Sequence, residues 1–167
     1  MPIGLLDDLS AVLARVFRVS CRVRMESEVD AEFAYDSHRG QYHSTSLLRR
    51  IRELVPDHEV RLIGVTRLDL FVPILTFVFG EAESGGRCAV VSLQRLDERH
   101  YGLPARQDLL SERLRKEAIH ELGHTFGLRH CDDWRCVMTS SHAIERLDVK
   151  SWEFCRKCRA GVAGCSP

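Results

Sequence analysis

The feature that most constrains this chain is the segment 120–130, in which three histidines and a glutamate follow a helical spacing. It reads His-Glu-Leu-Gly-His-Thr-Phe-Gly-Leu-Arg-His. Residues four apart on an α-helix lie one above the other, about 6 Å apart along the axis, so His120 and His124 face the same direction. Gly127 permits a left-handed turn that a Cβ would penalise, and such a turn returns His130 as a third nitrogen donor. The sequence therefore predicts a helix and a turn that gather three imidazoles.

Three imidazoles leave a fourth coordination position open, which is typical of a catalytic zinc site. Zinc lowers the pKa of a bound water to roughly 7 and polarises a carbonyl group. Glu121 points in a different direction from the two helical histidines, so we expect it to be the general base and not a ligand. The alternative is a solvated helix face with chance histidines. A shuffled chain of this composition produces the complete motif only about once in 10,000 cases, which disfavours that alternative.

Four cysteines follow the histidine motif, with intervening segments of 4, 18 and 2 residues. Two close pairs separated by a loop predict a structural zinc site with the ligands Cys131, Cys136, Cys155 and Cys158. The alternative is a set of buried thiols or a redox pair. A closed thiolate site supplies folding energy and no chemistry. Residues 131–167 need such a site because they are too few to bury a core alone.

The remaining cysteines are given structural roles. Cys21 and Cys88 fall on predicted strands and are interpreted as core thiols, while Cys165 is interpreted as a free thiol in a short polar tail. Because His130 and Cys131 are adjacent, we expect their side chains to bind different ions. The sequence therefore predicts two zinc ions per chain, one catalytic and one structural.

The extended histidine motif resembles that of the metzincin metalloproteases. Met138, eight residues past His130, is the candidate for the methionine that metzincins place in a tight turn beneath the zinc ligands. The order His-Cys, Cys-x-Met and Cys-x-x-Cys resembles the archaemetzincins in particular, as do the segments 35–42 and 77–82. The resemblance implies a mixed-sheet upper lobe, an active-site helix and a short lower lobe. It also implies a zinc-dependent peptidase.

Periodicity in the rest of the chain predicts an α/β (α+β) fold with a mixed twisted sheet. A helix over 111–126 carries Leu114, Ala118, Leu122 and Phe126 at four-residue intervals, an apolar face directed at the sheet. The segment 74–79 is interpreted as a core strand or as a cleft-edge strand that pairs with an extended peptide. The other predicted elements are helices over 5–17 and 47–54, strands over 21–29, 60–66, 68–72 and 88–93, and a polar loop over 35–46.

These predictions divide one catalytic domain into two lobes. Residues 1–130 hold the sheet and the active-site helix, and residues 131–167 hold the methionine turn and the cysteine site. Lys and Arg together number 24, equal to Asp and Glu, so the zero formal charge disfavours nucleic-acid or membrane-surface binding. There is no apolar run of roughly 18 residues and no basic, apolar leader, so we expect a cytoplasmic monomer acting on peptide or protein substrates.

Other polar residues are expected to have lesser roles. We expect Asp36 and Arg39 to pin a loop beside Tyr42 rather than to bind substrate. His142, four residues after Met138, is interpreted as a surface histidine rather than an oxyanion-stabilising group. The other histidines lie in polar segments and are expected to be solvated or locally bonded: His38, His43, His58 and His100.

The leading prediction is a zinc metalloprotease in which His120, His124 and His130 bind the catalytic zinc and Glu121 activates the zinc-bound water. The alternative is a non-catalytic or weakly active zinc-binding or peptide-binding protein on the same fold. That alternative stays open because the segment 139–142 lacks the tyrosine that some metzincins place after the methionine. A nucleic-acid-binding zinc module is disfavoured by the neutral charge and the complete histidine motif.

Overall fold

The computed structural model describes residues 4–25, 30–55 and 60–163. The helices in these ranges are α1 Leu5–Phe17, α2 Ser44–Glu53, α3 Gln107–Thr125, α4 Ile144–Val149 and α5 Arg156–Ala163. The strands are β1 Tyr35–Asp36, β2 Gln41–His43, β3 Leu62–Thr66, β4 Leu70–Phe71, β5 Gly80–Ala82 and β6 Cys88–Ser92. Short 3-10 turns cover Glu32–Ala34 and Glu98–Tyr101. None of the helices in the described ranges is long and apolar enough to cross a bilayer.

The described strands form two small mixed sheets. In the first, β2 pairs antiparallel with β1 and parallel with β4. In the second, β6 is central: it pairs in parallel with β3 from Cys88 to Ser92 and antiparallel with β5. Every residue of β6 is buried, as expected for a central strand covered on both faces. The predicted mixed pairing is confirmed, but the strands are divided between two sheets and do not form one.

One hydrophobic core joins α1, β6, α3 and the residues after position 130. Helix α1 contributes Leu5, Leu9, Leu13 and Phe17, which recur every four residues and are all buried. Phe17 stacks on Phe126 at 5.1 Å between ring centroids. Helix α3 adds the predicted face of Leu114, Ala118 and Leu122. The later chain contributes Cys136, Val137, Met138, Leu147, Phe154, Cys158 and Val162 to the same cluster.

Helix α3 also buries charged side chains, which its apolar pattern does not predict. Arg113 donates two hydrogen bonds of 2.7 Å to the carboxylate of Asp148, near the end of α4. It also donates to Leu96 O at 2.9 Å and forms an ion pair of 2.6 Å with Glu98. A planar guanidinium with five donors can satisfy several acceptors at once. Arg113 therefore ties α4 and the Glu98–Tyr101 turn to the active-site helix.

Two predicted strands are wrong. Residues 21–25 form no regular structure and Cys21 is exposed, so it is not a core thiol; residues 26–29 lie outside the described ranges. Alternation of apolar and polar residues is also compatible with an extended segment that has no partner strand. The segment 74–79 is mostly a turn after Pro73, with Ile74 89% exposed, and it contributes only an isolated bridge from Val78 to Leu70. An edge strand of the second sheet, β5, follows this segment.

The polar loop predicted over 35–46 is also wrong. It contains β1, β2 and the first turn of α2, with Gly40 in the left-handed conformation at the turn between the strands. Short strands of two or three residues are too brief to show a period-two pattern. The helix over 5–17 is confirmed, as is the strand at 88–93 within one residue. The short helices α4 and α5 were not predicted, because cysteines and charges mask their periodicity.

Candidate metal centre and active site

The end of α3 and the turn after it bring the three predicted histidines together. The ring centroids of His120 and His124 lie 4.7 Å apart, and the His130 ring lies 5.3 and 5.0 Å from them. One nitrogen of each ring lies within 4.8 Å of the others. Gly127 takes the predicted left-handed conformation with φ of 79°, and its N–H donates to His124 O at 2.9 Å. The predicted turn is therefore confirmed.

Backbone carbonyls fix the orientation of the two helical imidazoles. His120 Nδ1 lies 2.8 Å from Val137 O, and His124 Nδ1 lies 2.8 Å from Leu128 O. A carbonyl oxygen only accepts, so each Nδ1 donates and each Nε2 carries a lone pair. The two Nε2 atoms face each other at 3.2 Å. Two lone pairs at this distance repel each other unless a cation or a proton lies between them, so the arrangement fits a metal ligand set.

The protonation of these histidines also suits metal binding. Burial lowers the pKa of His120 well below its usual value, and the nearby Lys150 charge lowers it further. Burial likewise lowers the pKa values of His124 and His130. An imidazole must be neutral to coordinate a metal, and these shifts keep all three neutral at pH 7.

Met138 packs directly against the active-site helix. It is fully buried, and its carbonyl accepts a hydrogen bond of 3.0 Å from the Cys131 N–H. A Cβ at Gly123, between the first two histidines, would lie 2.5 Å from Met138 Sδ and 3.4 Å from a Phe154 ring carbon. The close approach of helix and methionine therefore favours glycine at position 123.

Glu121 contacts strand β5. Its side chain packs on β5, where a Cβ at Gly80 would lie 2.7 Å from Glu121 Cγ. Burial raises the pKa of Glu121 well above its usual value, and the neighbouring Glu117 carboxyl raises it further. The group of convergent metal-ligand atoms contains the histidines and does not contain this carboxylate. The geometry suits a proton acceptor beside a metal site.

Two buried charges beside Glu121 were missed by the sequence analysis. Glu117, one turn earlier on α3, is 5% exposed, and its carboxyl raises the pKa of Glu121. Lys150 is 2% exposed, lies 4.0 Å from Glu117 Oε2 and donates to Thr139 O at 3.1 Å. The one sequence signal for Lys150 was the rarity of lysine, which supplies only three of the 24 basic residues. For Glu117 the signal was its four-residue spacing from Glu121 on a buried helix.

The four predicted cysteines converge at a second position. Their sulfur atoms all lie within 4.8 Å of one another, and none forms a disulfide. Cys131 Sγ lies 3.8 Å from Cys155 Sγ, and the Cys155 N–H donates to Cys136 Sγ at 3.3 Å. A hydrogen bond from the Cys158 N–H lowers the pKa of Cys155 to about 7. Four close sulfurs with N–H donors fit a closed metal site better than a redox pair.

Other candidate residues have local roles. Asp36 accepts from the N–H groups of His38 and Arg39, and Arg39 Nη2 donates to Leu75 O at 2.7 Å and Thr76 O at 3.0 Å, so the loop-pinning prediction is confirmed. The remaining candidates are described by their nearest contacts or burial: exposed His142 with Ser140, His43 with Ser46, His100 with Tyr101, and buried Cys88. His58 and Cys165 lie outside the described ranges.

Comparison with known proteins places this arrangement in a family. The model of peptidase family M54 matches residues 10–163. The archaemetzincin of Methanocaldococcus jannaschii is 47% identical over 75% of this chain and 68% of its own length. That of Archaeoglobus fulgidus is 39% identical over 92% of this chain and 88% of its own.

A solved structure shares the fold over nearly the whole chain. The crystal structure of a zinc-dependent peptidase from Methanocorpusculum labreanum superposes with a TM-score of 0.85 at 30% identity, covering 97% of this chain and 95% of the other. The resemblance to archaemetzincins and the metzincin-like fold expected from the sequence are thus confirmed. This chain belongs to peptidase family M54, the archaemetzincins, and is a zinc metalloprotease.

Proposed function

We propose that this chain hydrolyses peptide bonds with one zinc ion held by His120, His124 and His130 and with Glu121 as the general base. The observation that carries the proposal is the pair of Nε2 atoms facing each other at 3.2 Å while both Nδ1 atoms donate to carbonyls. When bound, zinc supplies Lewis-acid chemistry that polarises the scissile carbonyl and makes water more acidic.

Glu121 supplies the proton transfer that peptide hydrolysis requires. Its carboxylate takes a proton from the attacking water and returns it to the leaving amine. Its buried position supports this role, because a raised pKa brings a carboxyl closer to the value at which it can both accept and donate near neutral pH. The substrates of this activity are peptides or proteins.

The proposal includes a second, structural zinc held by Cys131, Cys136, Cys155 and Cys158. Four thiolates leave no open position, so this ion acts on folding. It lies in a segment that shares its core with α1 and α3. This sharing supports one catalytic domain whose lobes, residues 1–130 and 131–167, depend on each other.

The experiment compares Glu121→Gln with the parent protein on an internally quenched peptide library. We expect kcat to fall by at least about 100-fold, since general acid–base catalysis contributes 10²–10⁴. Zinc content stays at two ions per chain, because the glutamate is not a ligand. Glu112→Gln is the matched control on the exposed side of the same helix and retains parent activity.

Two outcomes would contradict this assignment. A fall to one zinc per chain in Glu121→Gln would make Glu121 a ligand. A parent protein that holds both ions yet cleaves no member of the library at a rate dependent on Glu121 would favour the non-catalytic, peptide-binding alternative.

A further inference from the structure

We propose that a metal ion at the cysteine site raises the metal affinity of the histidine site by fixing the backbone beside His130. The histidine site is the set His120, His124 and His130, and the cysteine site is the set Cys131, Cys136, Cys155 and Cys158. The proposal rests on the two zinc sites of the proposed function. It gives the structural ion a second role, as the support of one catalytic ligand.

The first observation is that His130 has the least support of the three histidines. The His120 and His124 rings each donate from Nδ1 to a backbone carbonyl at 2.8 Å. Within the described ranges no hydrogen bond to the His130 ring is found, and the residue is exposed. An imidazole whose second nitrogen has no fixed partner is less firmly oriented toward a metal. The position of the His130 ring therefore depends on the backbone next to it.

The second observation is that Cys131 holds this backbone. It is joined to His130 by one peptide bond, and the residues that follow it, 132–135, are exposed. The Cys131 N–H donates to Met138 O at 3.0 Å, and the Cys131 carbonyl accepts from Thr139 Oγ1 at 3.2 Å. Residue 131 is therefore the point at which an exposed stretch of chain is tied to the methionine turn.

The third observation is that the cysteine site ties the same residue to the core. Cys131 Sγ lies 3.8 Å from Cys155 Sγ, just before α5, and all four sulfurs lie within 4.8 Å of one another. Cys136 and Cys158 are buried in the shared core, while Cys131 is only partly buried. An ion bound by the four sulfurs therefore holds Cys131 to two cysteines that the core already fixes.

A small displacement of His130 is enough to weaken metal binding. Ligand distances in metal sites lie within about 0.2 Å of their ideal values. Groups that orient a ligand from outside the ligand set change metal affinity by roughly 10–100-fold. We expect an effect of this size when the cysteine site is empty. The displacement should affect His130 and not His120, because Val137, whose carbonyl accepts from His120, is fully buried.

The test variant is Cys155→Ser, because Cys155 belongs to the cysteine site but not to the chain that directly follows His130. We expect zinc to leave the cysteine site and the zinc affinity of the histidine site to fall roughly 10–100-fold. Competition with a chelator measures the affinity, and anomalous scattering at the zinc edge assigns the occupancy of each site. Crystal structures should show the His130 ring displaced and the His120 ring in its parent position.

Two further variants separate the effect of the ion from that of the substitution. Cys155→His keeps a zinc-binding side chain, since three cysteines and one histidine form an ordinary structural zinc set. It should hold two ions and keep the histidine-site affinity within about threefold of the parent, below the change expected when a support is lost. Cys21→Ser is the matched control, because Cys21 is exposed and belongs to neither site. It should leave both affinities unchanged.

The proposal is wrong if Cys155→Ser loses the cysteine-site ion yet keeps the parent affinity of the histidine site. It is equally wrong if Cys155→His holds both ions but binds zinc at the histidines as weakly as Cys155→Ser does. Loss of the whole fold in Cys155→Ser, measured by circular dichroism, would also contradict it, since the ion would then support the lobe in general and not His130. A parent protein that binds both ions and cleaves no peptide would overturn the proposed function and leave this test intact.

Discussion

Single atoms determine whether the residues of the histidine motif can act together. The carbonyls of Val137 and Leu128 accept from the Nδ1 atoms of His120 and His124, which leaves both Nε2 atoms facing the proposed metal position. The motif itself was readable because residue type and helical spacing define it. The carbonyls and the Glu117–Lys150 pair were not, because long-range packing places Val137 and Lys150 beside α3.

Replacement of Gly123 by alanine tests the close packing of helix and methionine. Glycine to alanine inside a helix ordinarily stabilises a protein by up to about 1 kcal/mol. Here the added Cβ would lie 2.5 Å from Met138 Sδ. We expect Gly123→Ala to reduce the free energy of unfolding by about 1–3 kcal/mol, as overpacking does. Urea unfolding of the zinc-loaded protein measures this, and a stabilised variant would show that Met138 moves aside freely.

Asp97 gives a prediction about pH. Its carboxylate accepts from the Arg99 side chain and N–H, and the hydrogen bond from the Arg99 side chain holds the pKa of Asp97 below its usual value. A carboxyl with a lowered native pKa stabilises the fold above its unfolded pKa, and this contribution is lost as pH falls through the native pKa.

We expect Asp97→Asn to lower the free energy of unfolding by about 1 kcal/mol at pH 7, a small effect because Arg99 is 54% exposed. The difference between parent and variant should persist down to about pH 5 and shrink below about pH 4. Urea titrations at pH 7, 5 and 3.5 measure it. A difference that grows on acidification would contradict the assigned sign.

At the scale of elements, the sequence predicts the bounds of α1 and, within four residues, those of α3. Helix α3 is long, its apolar face is regular, and Gly127 follows it, so local patterns are sufficient. The strands around it are short and depend on partners distant in sequence. For this reason the sequence predicts a loop where β1 and β2 lie, and it predicts strands over 21–29 and 74–79, of which the described residues 21–25 and 74–77 are irregular.

Arg113 provides the test of how α3 is anchored. The guanidinium binds Asp148, Glu98 and a backbone carbonyl with almost no solvent contact. Removing one partner of such a network leaves buried charge uncompensated, so Arg113→Leu should cost about 3–5 kcal/mol of unfolding free energy. Arg106→Leu is the control, since its pair with Asp108 is more than half exposed on both sides and its loss should leave the free energy of unfolding nearly unchanged. Equal losses in the two variants would show that Arg113 is not an anchor.

At the scale of the whole molecule, the residues after 130 belong to the same core as the helices before them. The sequence predicted that this segment could not fold alone and assigned its four cysteines to a structural zinc site. It did not reveal that Val137, Met138 and Leu147 pack against α3, because apolar residues at irregular spacing carry no periodic signal. The histidine and cysteine sites thus lie on one continuous body, joined by the peptide bond between His130 and Cys131.

The central claim is that the chain holds two separate zinc sites, one with an open coordination position and one with four thiolate ligands. Anomalous scattering at the zinc edge, recorded from crystals of zinc-loaded protein before and after dialysis against a mild chelator, tests this directly. We predict two peaks before dialysis, one among His120, His124 and His130 and one among the four cysteines. After dialysis only the cysteine peak should remain, because a closed thiolate site holds zinc more tightly than an open histidine site. A single peak in the zinc-loaded crystals, or a histidine peak with Glu121 as a direct ligand, would contradict the account.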